Sequence, residues 1–142
     1  MTDQAHCPCG SGRPYTDCCG PFIAGAAVPA SAEQLMRSRY TAYAQGNADW
    51  LRETWHPATR PVSLDLVEPV RWIGLKIVSA ESGGPQDDRG TVEFVARYKR
   101  GGRAHRIHEL SRFQRCDGRW CYVDGDLGPD GAGDPSSGRA AR

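Results

Sequence analysis

Residues 91–124, TVEFVARYKRGGRAHRIHELSRFQRCDGRWCYVD, contain the signals that decide the fold of this chain. Residues 91–99 alternate apolar side chains with other side chains at a period of two, which is typical of a half-buried strand. Gly101-Gly102 and Asp117-Gly118 are each a signal for a two-residue hairpin turn. The stretch therefore predicts three antiparallel strands joined by two tight turns.

The two turns also predict which residues face the core, because a two-residue loop sets the register of the strands beside it. The first turn pairs Arg100 with Arg103. The second turn pairs Cys116 with Arg119 and so places Ser111 opposite Asp124. Both registers agree on one inner surface, whose predicted members are Val92, Phe94, Ala96, Tyr98, His105, Ile107, Glu109, Ser111, Phe113, Trp120, Tyr122 and Asp124.

The outer face of this sheet holds the remaining histidine and cysteines of the stretch. His108 falls beside Val95, so we expect a surface histidine. Cys116 and Cys121 share the face only as diagonal neighbours, which lie too far apart for an unstrained disulfide. We expect two free thiols there.

Upstream of the sheet the sequence predicts two helices and a further strand. Ser31 is placed to cap a helix in a capping box with Gln34, and Gly46 ends that helix. Asn47 caps a second, short helix that ends at Trp55-His56-Pro57, because the residue before proline leaves helical geometry. Residues 71–81 then form a strand, and residues 82–88 a polar loop.

One arginine lies on the predicted apolar face of the first helix. That face is an arc at a period of 3.6, made of Leu35, Met36, Tyr40, Tyr43 and Ala44. Arg39 falls inside the arc, where a buried charge needs a partner. Two alternatives remain open: a guanidinium that snorkels into water, or a buried guanidinium paired inside the core.

Four of the six cysteines lie in residues 7–19, CPCGSGRPYTDCC. Thiolates on a chain that doubles back suit a tetrahedral Zn²⁺ site formed by Cys7, Cys9, Cys18 and Cys19. The alternative is a pair of disulfides, which the absence of an export signal in residues 1–6 disfavours. A closed four-thiolate site is structural, and Arg13 with the backbone amides of residues 10–12 would offset its negative charge.

Length and composition are those of a modest globular chain with a separate tail. The 142 residues include 39% hydrophobic and 25% charged side chains, and the formal net charge is +1. No apolar run reaches the roughly 18 residues that a membrane span needs, so we expect a cytoplasmic protein. The expected organisation is a knuckle and linker over 1–27, an α+β domain over 28–125 and a disordered tail over 126–142.

The cysteine loop resembles the SEC-C motif, the short zinc-binding segment at the C-terminus of the SecA translocation motor. Its last ligand is Cys or His in that motif, and here it is Cys19. The resemblance implies bound zinc and a protein partner, since the similar SecA segment contacts a chaperone or the ribosome. The motif usually has a lysine-rich centre, and this chain has Arg13-Pro14-Tyr15-Thr16 instead, which weakens the case for the same contact.

The rest of the chain resembles the YchJ-like family of small bacterial proteins. The resemblance implies an α+β fold in which a cone-shaped, curved antiparallel sheet packs against helices, as in nuclear transport factor and the cystatins. It implies a fold and a metal, without a reaction. The stretches that carry it are LMRSRYTAY (35–43), TWHP (54–57), WIGL (72–75), VEF (92–94), HELSRF (108–113) and GRWCYVDG (118–125).

Three functions follow as hypotheses. The first is a non-enzymatic, zinc-stabilised interaction module, linked through the SEC-C motif to protein export or the ribosome. The second is a small-molecule-binding protein or enzyme that uses a cone pocket around Glu109 and Asp124, toward which Arg39 and His56 point; its alternative is an Arg39–Glu109 ion pair that only orders the core. The third, nucleic-acid binding by the knuckle, is disfavoured because only Arg13 and Tyr15 suit it and the net charge is nearly neutral.

Overall fold

The computed structural model describes residues 6–62 and 70–127. Within these ranges, a 3-10 turn (Tyr15–Asp17) precedes three α-helices and four strands. None of these helices is both long and apolar enough to cross a membrane. The strands form one antiparallel sheet in the order β1-β2-β3-β4, which confirms the predicted α+β architecture. The elements are α1 (Cys19–Ile23), α2 (Ala32–Gln45), α3 (Ala48–Glu53), β1 (Arg71–Ser82), β2 (Arg89–Arg100), β3 (Arg103–Cys116) and β4 (Arg119–Leu127).

The register predicted from the Gly101-Gly102 turn is confirmed along the whole β2–β3 hairpin. Arg100 pairs with Arg103, and Phe94 lies opposite Glu109. The inner face of this hairpin is buried as expected. Its buried members include Val92, Phe94, Ala96, Tyr98, Ile107, Glu109, Ser111 and Phe113.

The register predicted for β3 and β4 is correct for the half of the ladder near the turn and wrong beyond it. Cys116 pairs with Arg119, but the register shifts between Arg112 and Phe113. Ser111 consequently lies opposite Gly125, and Asp124 lies opposite Arg112. An extra residue in one strand turns every later side chain to the other face, and the sequence of the turn gives no signal for it.

Strand β4 also extends past the predicted end of the domain. Leu110 pairs with Asp126, and Glu109 pairs with Leu127. Asp126 and Leu127 therefore belong to the sheet and not to the tail predicted over 126–142. The other residues of that tail, 128–142, lie outside the described residues.

The predicted caps position α2 and α3. The Ser31 side chain accepts a hydrogen bond from Gln34 N at 3.1 Å, and Gly46 ends α2 with a left-handed φ of 71°. Gln34 Oε1 accepts from Ala30 N at 2.7 Å, one residue before the partner that a capping box requires. Asn47 caps α3 through a hydrogen bond from Trp50 N at 3.0 Å.

Helix α2 packs its predicted face on the sheet with one change. Leu35, Met36 and Tyr40 are buried, as expected. Ala44 is exposed and Ala42 is completely buried, so the buried face of the helix is turned slightly from the predicted arc. Ala44 lies in the last turn of α2, where Gln45 and the cap residue Gly46 are exposed as well.

The predicted linker is partly helical. Residues 19–23 form α1, and Phe22 and Ile23 pack against the core. Cys9 and Cys19 belong to the same apolar cluster as Leu35. The cysteine loop and the α+β body therefore share one hydrophobic core.

Candidate functional site

The four cysteines of residues 7–19 come together in the structure. Their Sγ atoms all lie within 4.8 Å of one another, and Cys9 Sγ lies 3.6 Å from Cys18 Sγ. In a tetrahedral site with Zn–S bonds of about 2.3 Å, neighbouring sulfurs are about 3.8 Å apart. All six cysteines of the chain are free thiols. The donor set and its spacing fit a thiolate-binding ion such as zinc and do not fit disulfides.

Two tight turns let the chain double back around this cluster. Gly10 has a left-handed φ of 81°, and its amide donates to Cys7 O at 3.2 Å. A β-carbon at Gly10 would lie 3.2 Å from Leu75 O of β1, and one at Gly20 would lie 2.8 Å from Tyr15 O. The small residues of the motif are therefore needed for closure of the loop and for its approach to the sheet.

Helix α2 supplies the polar groups around the sulfurs. Arg37 Nη1 donates to Cys9 O at 3.1 Å and lies 3.8 Å from Cys9 Sγ. Thr41, one helical turn later, places Oγ1 3.6 Å from Cys7 Sγ. The predicted cation, Arg13, is exposed and donates to Asp17 O at 2.9 Å. Sequence reasoning missed Arg37 because it lies 28 residues after Cys9. The available signal was that Arg37 and Thr41 are four residues apart and so lie on one face of a helix.

The thiols of this cluster have pKa values shifted in different directions. The pKa of Cys9 is lowered to about 4, chiefly because the Cys19 thiol donates a hydrogen bond to its sulfur. The same bond raises the pKa of Cys19, and burial raises the pKa of Cys18. A metal ion would take the place of the protons that remain, because thiols bind zinc as thiolates.

A second candidate site is a cavity of about 600 Å³ between α2 and the inner face of the sheet. Most of its wall is apolar or aromatic, and its polar groups come from β3, β4 and α2. The residues that line the cavity include Met36, Arg39, Trp55, Phe94, Glu109, Ser111, Tyr122 and Asp124. The cone is therefore hollow beside Glu109.

Glu109 is a buried carboxylate in the wall of this cavity, with 7% of its surface exposed. Its Oε2 accepts hydrogen bonds from Ser111 Oγ at 2.9 Å and from Tyr122 OH at 2.9 Å. Burial, and then the charge of Glu109, raise the pKa of Tyr122 well above its ordinary value. Tyr122 therefore stays protonated and holds the carboxylate in place.

Arg39 is buried and so follows the second of the two predicted alternatives, with 3% of its surface exposed. Its Nη1 donates to Leu51 O at 2.9 Å and to Thr54 Oγ1 at 2.7 Å. The guanidinium carbon lies 4.6 Å from the Tyr122 ring centroid and 4.9 Å from that of Trp55. Arg39 and Glu109 thus both contact Tyr122, one at the face of the ring and the other at the hydroxyl group, and Arg39 also ties α2 to α3.

The other two predicted pocket residues are placed differently. Asp124 lies at the cavity rim, where its Oδ1 accepts from Arg112 Nε at 2.6 Å and about half of its side chain is exposed. His56 is not among the residues that line the described cavity. Its backbone N donates to Tyr122 O at 2.8 Å, and its Nδ1 accepts from Ala58 N at 3.0 Å, so it helps to fix the chain after α3.

Sequence reasoning also missed Trp55, a residue of the cavity wall. Its ring packs edge-on against Tyr122 at a centroid distance of 5.1 Å and lines the cavity. Its buried Nε1–H has no hydrogen-bond acceptor among the described residues. Trp50, Leu51, Thr54 and Trp55 fall on one side of a helix in the sequence, and this spacing was the available signal.

Comparison with known proteins shows what this chain is similar to. Residues 31–125 match the model described as "YchJ, middle NTF2-like domain", and residues 6–21 match the SEC-C motif. A UPF0225 protein of Ralstonia nicotianae is 56% identical over 135 residues, covering 87% of this chain and 92% of that protein. A UPF0225 protein of Streptomyces coelicolor is 49% identical over 121 residues, covering 85% and 94%.

Two solved structures share the fold. The solution structure of a SEC-C motif protein from Rhodopseudomonas palustris is 40% identical with a TM-score of 0.75, covering 84% of this chain and 96% of that one. The crystal structure of a SEC-C motif protein from Psychrobacter arcticus is 25% identical with a TM-score of 0.66, covering 86% and 82%. With the matches to both halves of the chain, these similarities show that the protein belongs to the YchJ-like, or UPF0225, family and joins a SEC-C motif to an NTF2-like domain.

Proposed function

We propose that this protein binds a small molecule in the cone cavity and that its cysteine cluster holds a structural zinc ion. The observation that carries the proposal is Glu109, a buried carboxylate in the wall of an aromatic-lined cavity of about 600 Å³. Ligand pockets are mostly apolar, measure about 300 to 1,000 Å³ and contain a few convergent polar groups. This cavity has each of these properties.

The charges of the cavity indicate the class of ligand. Arg39 contacts the Tyr122 ring and Glu109 the Tyr122 hydroxyl group, so two opposite charges lie close together in the cavity and their fields oppose each other. At the rim, Arg112 is paired with Asp124 and Asp126. A neutral aromatic molecule with an amide-like group suits the site better. Its N–H would donate to Glu109, and its ring would pack against Trp55 in the cavity wall.

The proposal is binding and not catalysis. Glu109 is held by two hydroxyl donors, and no nucleophile with its base adjoins it among the cavity residues of the described chain. The zinc site has four protein ligands and leaves no open position for a substrate. Reduced thiolate ligands favour a cytoplasmic location.

The experiment is a titration with benzamide, followed by the indole N–H resonances of the tryptophans in a ¹H–¹⁵N spectrum. We expect the Trp55 resonance to shift, because its indole lines the cavity. The Trp50 resonance is an internal control, since its Nε1 already donates to Ser38 Oγ at 3.0 Å. Benzoate and benzamidinium, which have similar size but carry charge, should bind more weakly than benzamide.

Matched variants locate the binding. Glu109→Gln should weaken benzamide binding, whereas Glu81→Gln, a change of the same type at an exposed position of β1, should leave it unchanged. Unchanged Trp55 resonances at millimolar concentrations of all three probes would overturn the proposal. So would equal effects of the two variants.

The SEC-C match supports a second candidate, the interaction module. The outer edge of the loop exposes Arg13, Thr16 and Asp17, while its cysteines are turned to the core. A protein partner in export or at the ribosome would contact this edge. Copurification that is lost in Arg13→Glu, with the metal retained, would support the module; an unchanged set of partners would count against it.

A further inference from the structure

Two cysteines outside the four-cysteine cluster come together at the turn between β3 and β4. Cys116 is the last residue of β3, and Cys121 is the third residue of β4. Both are free thiols. Cys121 is buried, with 7% of its surface exposed, and Cys116 is half-buried. Neither the cysteine cluster nor the ligand cavity uses these two side chains.

The register of the hairpin sets how the two thiols face each other. Cys116 pairs with Arg119, and Cys121 pairs with Gln114, so the two cysteines are diagonal neighbours on one face of the hairpin. Diagonal neighbours have α-carbons about 7 to 8 Å apart, whereas those of a disulfide are usually about 4.4 to 6.8 Å apart. The hairpin therefore favours two neighbouring thiols over a disulfide.

The two thiols also share one pocket. A pocket of about 200 Å³ is lined by Cys116 and Cys121, together with residues of α3 and of the chain that follows it. Burial, and then the neighbouring Cys116 side chain, raise the pKa of Cys121 to about 11. The two side chains therefore interact inside a space that is large enough for an ion, since a water molecule in the liquid occupies about 30 Å³.

The donors around the thiols indicate which kind of ion fits. Glu53 and Asp117 line the same pocket, but their carboxylates do not gather with the thiols. In the described part of the chain, the group of three or more such ligand atoms is the four-cysteine cluster. Structural zinc takes four ligands, and calcium and magnesium take oxygen ligands. Two thiolates suit a soft ion of low coordination number, and copper(I) is an ion of this class that thiolates select.

An ion between two sulfurs tolerates the diagonal spacing better than a disulfide does. Metal–sulfur bonds of about 2.3 Å on each side let the two sulfurs lie up to about 4.6 Å apart, whereas the sulfurs of a disulfide are about 2.05 Å apart. Copper(I) with two thiolates has one negative charge. Arg119 lies opposite Cys116 and lines the pocket, so its positive charge is placed to offset that charge.

We propose that Cys116 and Cys121 form a second metal site, a two-thiolate site for copper(I). The ion takes the place of the two thiol protons, which pass to the solvent, and copper keeps its oxidation state. Among the described residues, those that line this pocket and those that line the ligand cavity are different. The proposal is therefore independent of the proposed function.

The experiment adds copper(I) to the full chain without oxygen, as the bicinchoninate complex, and measures the copper and zinc bound per chain after desalting. The wild type should bind about one copper ion more than Cys116→Ser, Cys121→Ser or the double variant. Copper that enters the four-cysteine cluster cancels in this difference, because every protein compared keeps that cluster. The β-carbon resonances of Cys116 and Cys121 should move together in the wild type.

The single variants distinguish one shared site from two independent thiols. An ion held by both sulfurs is lost when either sulfur is removed, whereas independent thiols would each account for half of the loss. Arg119→Gln should keep the ion and weaken its binding. Because Cys121 is buried, the indole N–H spectrum checks that each variant is folded, and Cys116→Ser decides the result if Cys121→Ser does not fold.

Three results would overturn the proposal. The first is equal copper binding by the wild type and Cys116→Ser. The second is a loss in each single variant that is half of the loss in the double variant. The third is a set of copper-induced β-carbon shifts confined to the four-cysteine cluster.

Discussion

Gly125 has no β-carbon, and the Glu109 carboxyl group occupies the space where one would lie. A β-carbon at position 125 would lie 2.7 Å from Glu109 Cδ, with Oε2 of the same carboxylate closer still. The register shift in β3 and β4 puts the glycine on the inner face at this point and turns Asp124 outward. One bulge therefore moves the Asp124 carboxylate from the inner face to the cavity rim and makes room for the Glu109 carboxylate.

Gly125→Ala should be destabilising, because the new methyl group must displace Glu109. Overpacking of a tight site costs about 1 to 3 kcal/mol, which chemical denaturation would measure as a change in the free energy of unfolding. Gly74→Ala is the matched control, since it is also a strand glycine and a β-carbon there meets nothing within 4 Å. Equal free energies for the two variants would contradict the described contact.

The sequence predicts the hairpins well because local turn chemistry decides them. Gly101-Gly102 sets the whole β2–β3 register, and residue alternation identifies the buried side. The bulge beside Arg112 has no such local signal, so the sequence pattern predicts the wrong face for Asp124. Its outward position is stabilised by the pair with Arg112, a contact that depends on the three-dimensional arrangement of both strands.

The candidate sites were predictable to different degrees. The cysteine ligands share one loop, so residues 7–19 indicate them directly. Arg37 and Trp55 reach their sites only through the packing of α2 and α3 on the sheet.

Cys9→Ser should remove the metal ion and destabilise the protein, because Cys9 is completely buried in the shared core. Metal analysis should find about one zinc ion per wild-type chain and almost none in the variant. Cys116→Ser is the control, since this half-buried free thiol lies on β3 and outside the cluster. Full zinc occupancy in Cys9→Ser would contradict the assignment.

Arg37→Gln should weaken zinc binding without abolishing it. The guanidinium lies 3.8 Å from Cys9 Sγ, and loss of a group that supports metal ligands typically costs 10- to 100-fold in affinity, as an order of magnitude. Competition with a chromophoric chelator measures the change. Arg13→Gln should weaken zinc binding less, because Arg13 hydrogen-bonds the loop backbone at Asp17. If Arg13→Gln weakened zinc binding more than Arg37→Gln, the main supporting cation would be Arg13.

The protein should lose stability as the pH rises above about 10, because burial opposes the ionisation of two of its tyrosines. Burial raises the pKa of Tyr40 from 10.0 to about 12 and also raises that of Tyr122. A raised pKa means that the folded state binds more protons, so stability is complete below about pH 10 and falls as the pH rises through the folded value. Denaturation curves between pH 9 and pH 12 measure this.

Tyr40 alone should account for roughly 2 to 3 kcal/mol of that loss, since one pKa unit corresponds to about 1.4 kcal/mol. Tyr40→Phe should be less sensitive to pH in this range than the wild type, because it removes the group that titrates. Identical pH profiles for the two proteins would show that Tyr40 does not titrate in this way.

The most direct test of the account is anomalous scattering at the zinc edge from a crystal of the protein soaked with benzamide. The central claim is that the metal is structural and that the cavity is where a ligand binds. It predicts one anomalous peak among the sulfurs of Cys7, Cys9, Cys18 and Cys19, with benzamide density between Trp55 and Glu109. An anomalous peak beside Glu109, or none among the four sulfurs, would contradict it.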